Sequence, residues 1–118
     1  MLRPGGRLAF LTIEPTPGLS PADRRRAHEI GPPAVAVRTS YRSMLATAGF
    51  VDIGAEDRTA EYRATQAAWI EAVGRRSDAI REIMGDQDYE ERVDSRTRAL
   101  AAIDAGLLSR FMYRATRP

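Results

Sequence analysis

The sequence predicts an α/β fold, and three observations carry that prediction. Arg7-Leu8-Ala9-Phe10-Leu11-Thr12-Ile13 is a nearly continuous apolar run of strand length. Phe50-Val51-Asp52-Ile53-Gly54-Ala55-Glu56 alternates with the two-residue period of a strand. From Thr39 to Gly49, and again from about Ala60, apolar residues recur at helical spacing. The predicted order is strand, helix, strand, two helices, strand.

The N-terminal Arg3-Pro4-Gly5-Gly6 is a turn, with proline presetting φ at the second position and glycine supplying a positive φ at the third. The apolar run after it is too continuous for a half-exposed strand and predicts cover on both faces. Residues 15–38 hold five prolines and form a long irregular connection, of the kind that serves as a binding loop or lid. Within it one short helix is expected, with Ser20 as N-cap, Pro21 at the first helical position and Asp23 in the first turn. Gly31-Pro32-Pro33 ends it. The next helix, from Thr39, places Tyr41, Met44, Leu45 and Ala48 on one face and ends at Gly49. A longer helix from about Ala60 to Met84 carries Tyr62, Gln66, Trp69, Ile70, Val73, Ile80 and Met84 inward. Gly85-Asp86 breaks the chain and offers a new N-cap. The last helix turns Tyr89, Val93, Leu100 and Ile103 inward and ends near Gly106, and Leu107 to Ala115 is the final strand.

At 118 residues and 13.0 kDa the chain is one domain at most. Its 43% hydrophobic and 29% charged residues fit a globular protein. No apolar run approaches the roughly 20 residues that span a bilayer. Pro4-Gly5-Gly6 ahead of a short apolar run is unlike a signal peptide, so a cytoplasmic location is expected. The absence of cysteine excludes disulfides, thiolate metal sites and thiol catalysis within these residues. All 18 basic residues are arginine, set against 16 acidic ones for a net charge of +2. Acids and bases are interleaved, as in Glu90-Glu91-Arg92-Val93-Asp94-Ser95-Arg96, which suits solvated helix faces and argues against a nucleic-acid footprint. Arg24-Arg25-Arg26 is the one pure basic run.

Leu2-Arg3-Pro4-Gly5-Gly6-Arg7-Leu8-Ala9-Phe10 resembles the L-[KR]-P-G-G segment of class I S-adenosylmethionine-dependent methyltransferases, the turn into the fifth strand of a seven-stranded sheet. Tyr41 to Phe50, with Met44-Leu45 and Ala48-Gly49-Phe50, resembles the family's helix ending in A-G-F before the sixth strand. Leu108 to Pro118 resembles the seventh strand, which in that family returns antiparallel between the fifth and sixth. The resemblance implies the C-terminal portion of a Rossmann-like methyltransferase fold. Residues 1–57 would be strand, loop, helix and strand; 58–106 a helical lid insertion; and 107–118 the final strand. The family's cofactor, S-adenosylmethionine, is held by a glycine-rich turn after the first strand, an acidic residue ending the second and residues around the fourth. None of these landmarks occurs here, since Gly5 and Gly6 precede their strand, so no cofactor-binding residue is expected in this chain. The resemblance implies methyl transfer to a small molecule once an N-terminal half completes the domain, and an inactive chain without it. Three strands also leave one edge of Leu8–Ile13 open, a template for self-association.

Four residues are substrate-binding candidates. Glu14, at the end of the first strand, stands where ligands sit in open α/β sheets, and is either a substrate contact or base, or a carboxylate in water. His28, the single histidine, is a candidate base by residue type; its charged surroundings, Arg24 to Glu29, favour exposed surface. Tyr62 and Trp69 lie on an inward stripe that reads as core, or as the aromatic lining of a lid over a pocket. Tyr41 reads as core. One histidine and no cysteine leave only carboxylates for a metal, so none is expected, and Asp86-Gln87-Asp88 reads as a helix cap. A second functional reading stays open, a non-enzymatic module whose Arg24–Arg26 patch engages an acidic partner or nucleic acid.

Overall fold

Pro4 and Gly5 fold the N-terminal turn as their chemistry requires: Gly5 has φ +80°, and the Gly6 N–H donates to the Arg3 carbonyl at 2.8 Å. A computed structural model describes residues 2–30 and 40–118. From the turn the chain enters β1 (Arg7–Leu11), then a two-residue strand β2 (Glu14–Pro15) and helix α1 (Pro21–Ile30). Helix α2 (Tyr41–Thr47) and strand β3 (Val51–Asp57) follow, then helices α3 (Thr59–Arg75), α4 (Ser77–Met84) and α5 (Asp86–Asp104). Strands β4 (Leu108–Ser109) and β5 (Phe111–Thr116) end the chain.

The three longer strands form one sheet in the order β1-β5-β3, with β5 antiparallel to both neighbours. The final strand thus returns between the other two, in the arrangement the resemblance implied. Its register with β1 sets Leu8 beside Ala115 and Phe10 beside Tyr113. A bulge between Val51 and Gly54, where Asp52 takes φ +52°, interrupts its register with β3. Helix α2 covers one face. Leu45, Tyr113 and Ala115 are buried there, with Leu8, Phe10, Tyr41, Phe50, Ile53 and Phe111 packed around them. Ser40 caps α2 by accepting from the Ser43 N–H at 3.1 Å, and Gly49 at φ +92° ends it.

A second core gathers the helices. Ala27 of α1, Tyr62 of α3, Ala102 and Ile103 of α5, and Leu107 and Leu108 are buried together, with Ile13, Leu19 and Ile30 against them. The antiparallel pair β2–β4 sits beside this core, matching Glu14 to Ser109 and Pro15 to Leu108. Ser20 caps α1 through its Oγ, which accepts from the Asp23 N–H at 3.2 Å. Gly31-Pro32-Pro33 and Thr39, expected to bound helices, lie outside the described residues.

Several elements differ from the sequence-based expectation. The first strand is covered on one face only: Leu8 and Phe10 are half-buried, whereas Arg7, Ala9 and Leu11 are exposed, Leu11 by 52%. On that second face Leu11 borders a cleft with Tyr62 and Thr65 of α3, while α2 lies on the other. The predicted helix from Ala60 to Met84 is two helices, broken at Arg76 just after Gly74, which has the weakest helix propensity in this stretch. The break lets α4 turn against both α3 and α5. Asp86 is the first residue of α5 and not its N-cap; Gly85, at φ +90°, holds that position. Met44 and Ala48 fall off the packed face of α2, and Met44 is 45% exposed. The predicted last strand is likewise two, parted at Arg110, whose backbone N–H donates to Thr59 Oγ1 (3.1 Å) and whose carbonyl accepts from the Arg58 N–H (2.7 Å).

The chain as a whole is more open than a compact domain. The chain exposes 8047 Å², whereas a compact monomer of this mass exposes about 6,300 Å². Its radius of gyration is 17.2 Å, against about 13.5 Å for a compact domain of this length. Leu108, 1% exposed where β4 meets α1 and α5, is the tightest point of the helical core. Leu108→Ala is expected to cost about 2–5 kcal/mol in denaturant unfolding. A loss below about 1 kcal/mol would show that the site collapses easily and that the helical core is loose.

Candidate functional site

The end of β1 brings one of the expected residues into a polar constellation. Past Leu11 the chain continues through Thr12, held to the sheet by its N–H bond to the Phe111 carbonyl at 2.9 Å, and then enters β2 at Glu14. Tyr113 projects from the middle of β5 on the α2 side of the sheet, and its hydroxyl donates to Glu14 Oε1 at 2.7 Å. Its ring lies 5.5 Å from that of Phe10, 5.4 Å from that of Tyr41 and 6.1 Å from that of Phe111, so three aromatics from β1, α2 and β5 surround the carboxylate's partner. A buried aromatic wall beside one half-buried carboxylate is a low-dielectric setting for a charged group.

That setting shifts the titrations. Burial raises the Glu14 carboxyl above its usual range, and the Tyr113 hydrogen bond partly offsets this by stabilising the anion. Burial and the Glu14 carboxylate together hold the Tyr113 phenol well above its ordinary value, and Tyr41 moves the same way. Tyr113 therefore holds its proton as the donor, and Glu14 takes up a proton more readily than an exposed carboxylate does.

The other candidates fall elsewhere. His28 is half-buried on α1, its Nε2 enclosed and without a hydrogen-bond partner, which differs from the exposed surface its sequence surroundings favoured. The cause is Ala27: fully buried, it turns this stretch of α1 toward the helical core while Arg24, Arg25 and Arg26 stay exposed. Tyr62 is buried in that core and also lines a cleft of about 280 Å³ with Leu11, Arg58, Glu61, Thr65, Arg110 and Met112. Trp69 is half-buried in a separate polar cleft between α3 and α5, where the Arg96 guanidinium lies 4.9 Å from its ring centre. Glu14 and Tyr62 thus belong to different clusters, and Trp69 to a third. The residues that sequence reasoning passed over are Tyr113 and Arg110. Tyr113 gave one signal, its period-two place in the last strand opposite Phe10; Arg110 gave none.

Among the described residues no group of three histidine or acidic side chains is placed to hold a metal. Nor do they form a cradle for a nucleotide-like cofactor. A Cβ on Gly6 would meet the Arg3 carbonyl at 2.8 Å, and one on Gly54 the Arg114 side chain at 2.7 Å, so both glycines serve contacts within the chain. The residues present do not fit S-adenosylmethionine.

Glu14 sets a sign for pH dependence. Its folded pKa lies above the unfolded value near 4.5, so its favourable contribution is full below that pH and is lost as pH rises through the folded pKa. Glu14→Gln should remove this loss, and Tyr113→Phe should raise the Glu14 midpoint further in a carboxyl-detected NMR titration. An unchanged or lower midpoint in Tyr113→Phe would contradict the hydrogen bond.

No family model matches the chain, and no curated protein matches it in sequence. Solved structures do match. Phosphoethanolamine N-methyltransferase 2 of Haemonchus contortus, solved with phosphomonomethylethanolamine and S-adenosylhomocysteine and also with S-adenosylmethionine, superposes with a TM-score of 0.80 at 17% identity. The match covers 99% of this chain and 27% of that one. A Galdieria sulphuraria protein assigned as a sarcosine dimethylglycine methyltransferase gives a TM-score of 0.80 at 14% identity, over 98% of this chain and 43% of its own. The chain thus spans well under half the length of the structures it matches, and it has the fold of a portion of the S-adenosylmethionine-dependent methyltransferases.

Proposed function

We propose that the chain is the C-terminal, substrate-side part of a small-molecule methyltransferase and acts when an N-terminal half completes the sheet and holds the cofactor. The observation that carries this reading is the open second face of β1. An apolar strand exposes Ala9 and Leu11 on one side, and the chain as a whole exposes about 1,700 Å² beyond a compact monomer, about twice what one partner buries in a standard protein interface. The match to methyltransferase structures of greater length supports the same reading.

In that completed domain the methyl group comes from S-adenosylmethionine. This chain's residues supply position and proton handling. Glu14 lies just past the C-terminal end of β1, where open α/β sheets bind ligands, with Tyr113 fixing one of its oxygens. Its second oxygen orients a donor group of the substrate, or takes a proton from the nucleophile when one must leave. The α3–α5 insertion closes over the substrate as a lid, and the α1 segment around His28, which packs on β2, is the nearby wall. The free edge of β1 gives the isolated chain a tendency to pair with a second copy, which sedimentation at rising concentration checks; a single monomeric species throughout would contradict it.

The direct test is complementation. The isolated chain should bind no S-adenosylmethionine in calorimetry, and co-expression with the N-terminal half of the Galdieria sulphuraria relative should restore cofactor binding and methyl transfer. In the completed enzyme Glu14→Gln should lower kcat/KM by about 10- to 100-fold. Cofactor binding by the chain alone, or full activity in Glu14→Gln, would overturn the respective part of the reading.

A further inference from the structure

We propose that the cleft between the end of β1, the start of β5 and the first turns of α3 binds a compact oxyanion, a carboxylate or phosphate group, with Arg110 as its principal ligand. The cleft, about 280 Å³, is walled by Leu11 and Met112 from the sheet and by Tyr62 and Thr65 from α3. Two arginines line it, and they differ. Arg58 donates Nη1 to Glu61 at 2.9 Å and Nη2 to Glu56 at 3.1 Å, so its charge is matched by two carboxylates, one of which also lines the cleft. Arg110 has no such match. The ion pairs among the described residues engage Arg26, Arg58, Arg63, Arg75, Arg81 and Arg98, and residues 31–39 contain no carboxylate.

Arg110 is nonetheless half-buried, and its Nε is enclosed without a hydrogen-bond acceptor. The face of Tyr62, 5.3 Å from the guanidinium carbon, attracts the charge but offers no lone pair in the plane of the fork. Enclosing a guanidinium N–H without an acceptor is costly; Arg58 Nε is enclosed in the same way, but there two carboxylates hold the charge, whereas at Arg110 a bound ligand is the group that can supply an acceptor. The backbone fixes the donor in place. Arg110 donates its N–H to Thr59 Oγ1 and accepts from the Arg58 N–H, and this bracket is what interrupts the strand between β4 and β5. A planar fork carried on a backbone fixed at both its N–H and its carbonyl, and set over the face of Tyr62, suits a carboxylate or phosphate, which takes two parallel hydrogen bonds from it. The volume admits a small ligand: at about 30 Å³ for each water, it holds a handful of heavy atoms. The proposal does not depend on methyl transfer.

The test uses the full 118-residue chain, ¹⁵N-labelled and titrated with inorganic phosphate, acetate and chloride at matched ionic strength. Saturable shifts of the Arg110 Nε–H and of the Thr59 and Arg110 amides are expected with phosphate or acetate and not with chloride. Saturation by only one of them identifies the oxyanion. Arg110→Gln should abolish the saturation and Arg110→Lys should weaken binding about tenfold by losing the planar fork. Arg75→Gln, which removes an exposed ion pair at the far end of α3, should leave it unchanged. If Arg110→Gln fails to give a folded spectrum, Arg110→Lys decides alone. Shifts that stay linear, that chloride reproduces, or that survive in Arg110→Lys at full affinity would overturn the proposal.

Discussion

The structure depends on one strand, β5, bonded along both edges. It is the only strand of the three-stranded sheet with two partners, and it is the last to be made. β1 and β3 are far apart in sequence and meet only through it. Every contact that defines the sheet-side core follows from its register: Tyr113 beside Phe10 and Ala55, and Ala115 beside Leu8 under Leu45 of α2. Because loop closure must precede these pairings, the sheet forms from contacts of long sequence separation, which places it late in folding relative to the helices.

The same strand couples the two cores to the chemistry. From its middle Tyr113 reaches Glu14 across the α2 side of the sheet, and from just before its start Arg110 reaches the cleft under α3. A carboxylate raised by burial and a guanidinium left without a counter-charge are thus both tied to the first half of one β segment, through Tyr113 and Arg110. The surface ion pairs that crowd the helices matter less. Arg63 and Asp104 make a two-point contact between α3 and α5, but both are about half-exposed, and such pairs contribute little.

Much of this was legible in the sequence because local chemistry decides it. Ser20-Pro21 starts a helix and Gly49 ends one by conformational preference alone, and the apolar run and its alternating successor mark β1 and β3. The return of the last strand between them came from the resemblance, and not from periodicity. What was not legible is non-local. Leu107 to Ala115 is a continuous strand by composition, and it breaks at Arg110 only because Thr59 and Arg58, half the chain away, take its backbone groups. The open face of β1 is equally invisible, since an apolar run says that cover is needed and not which polypeptide supplies it. Of the candidate site residues, Glu14 was placed by its position at a strand end, whereas its partner Tyr113 needed the sheet register.

The central claim is that β5 holds a sheet whose β1 edge is free. Amide hydrogen exchange on dilute, monomeric chain tests it most directly. Thr12 donates to the Phe111 carbonyl and Arg117 to that of Gly6, so alternation turns the Leu8 and Phe10 N–H groups toward β5 and those of Arg7, Ala9 and Leu11 outward. The account predicts slow exchange at Leu8, Phe10 and Tyr113 and nearly unprotected exchange at Ala9 and Leu11. Equal protection of all β1 amides, or none at Tyr113, would contradict it.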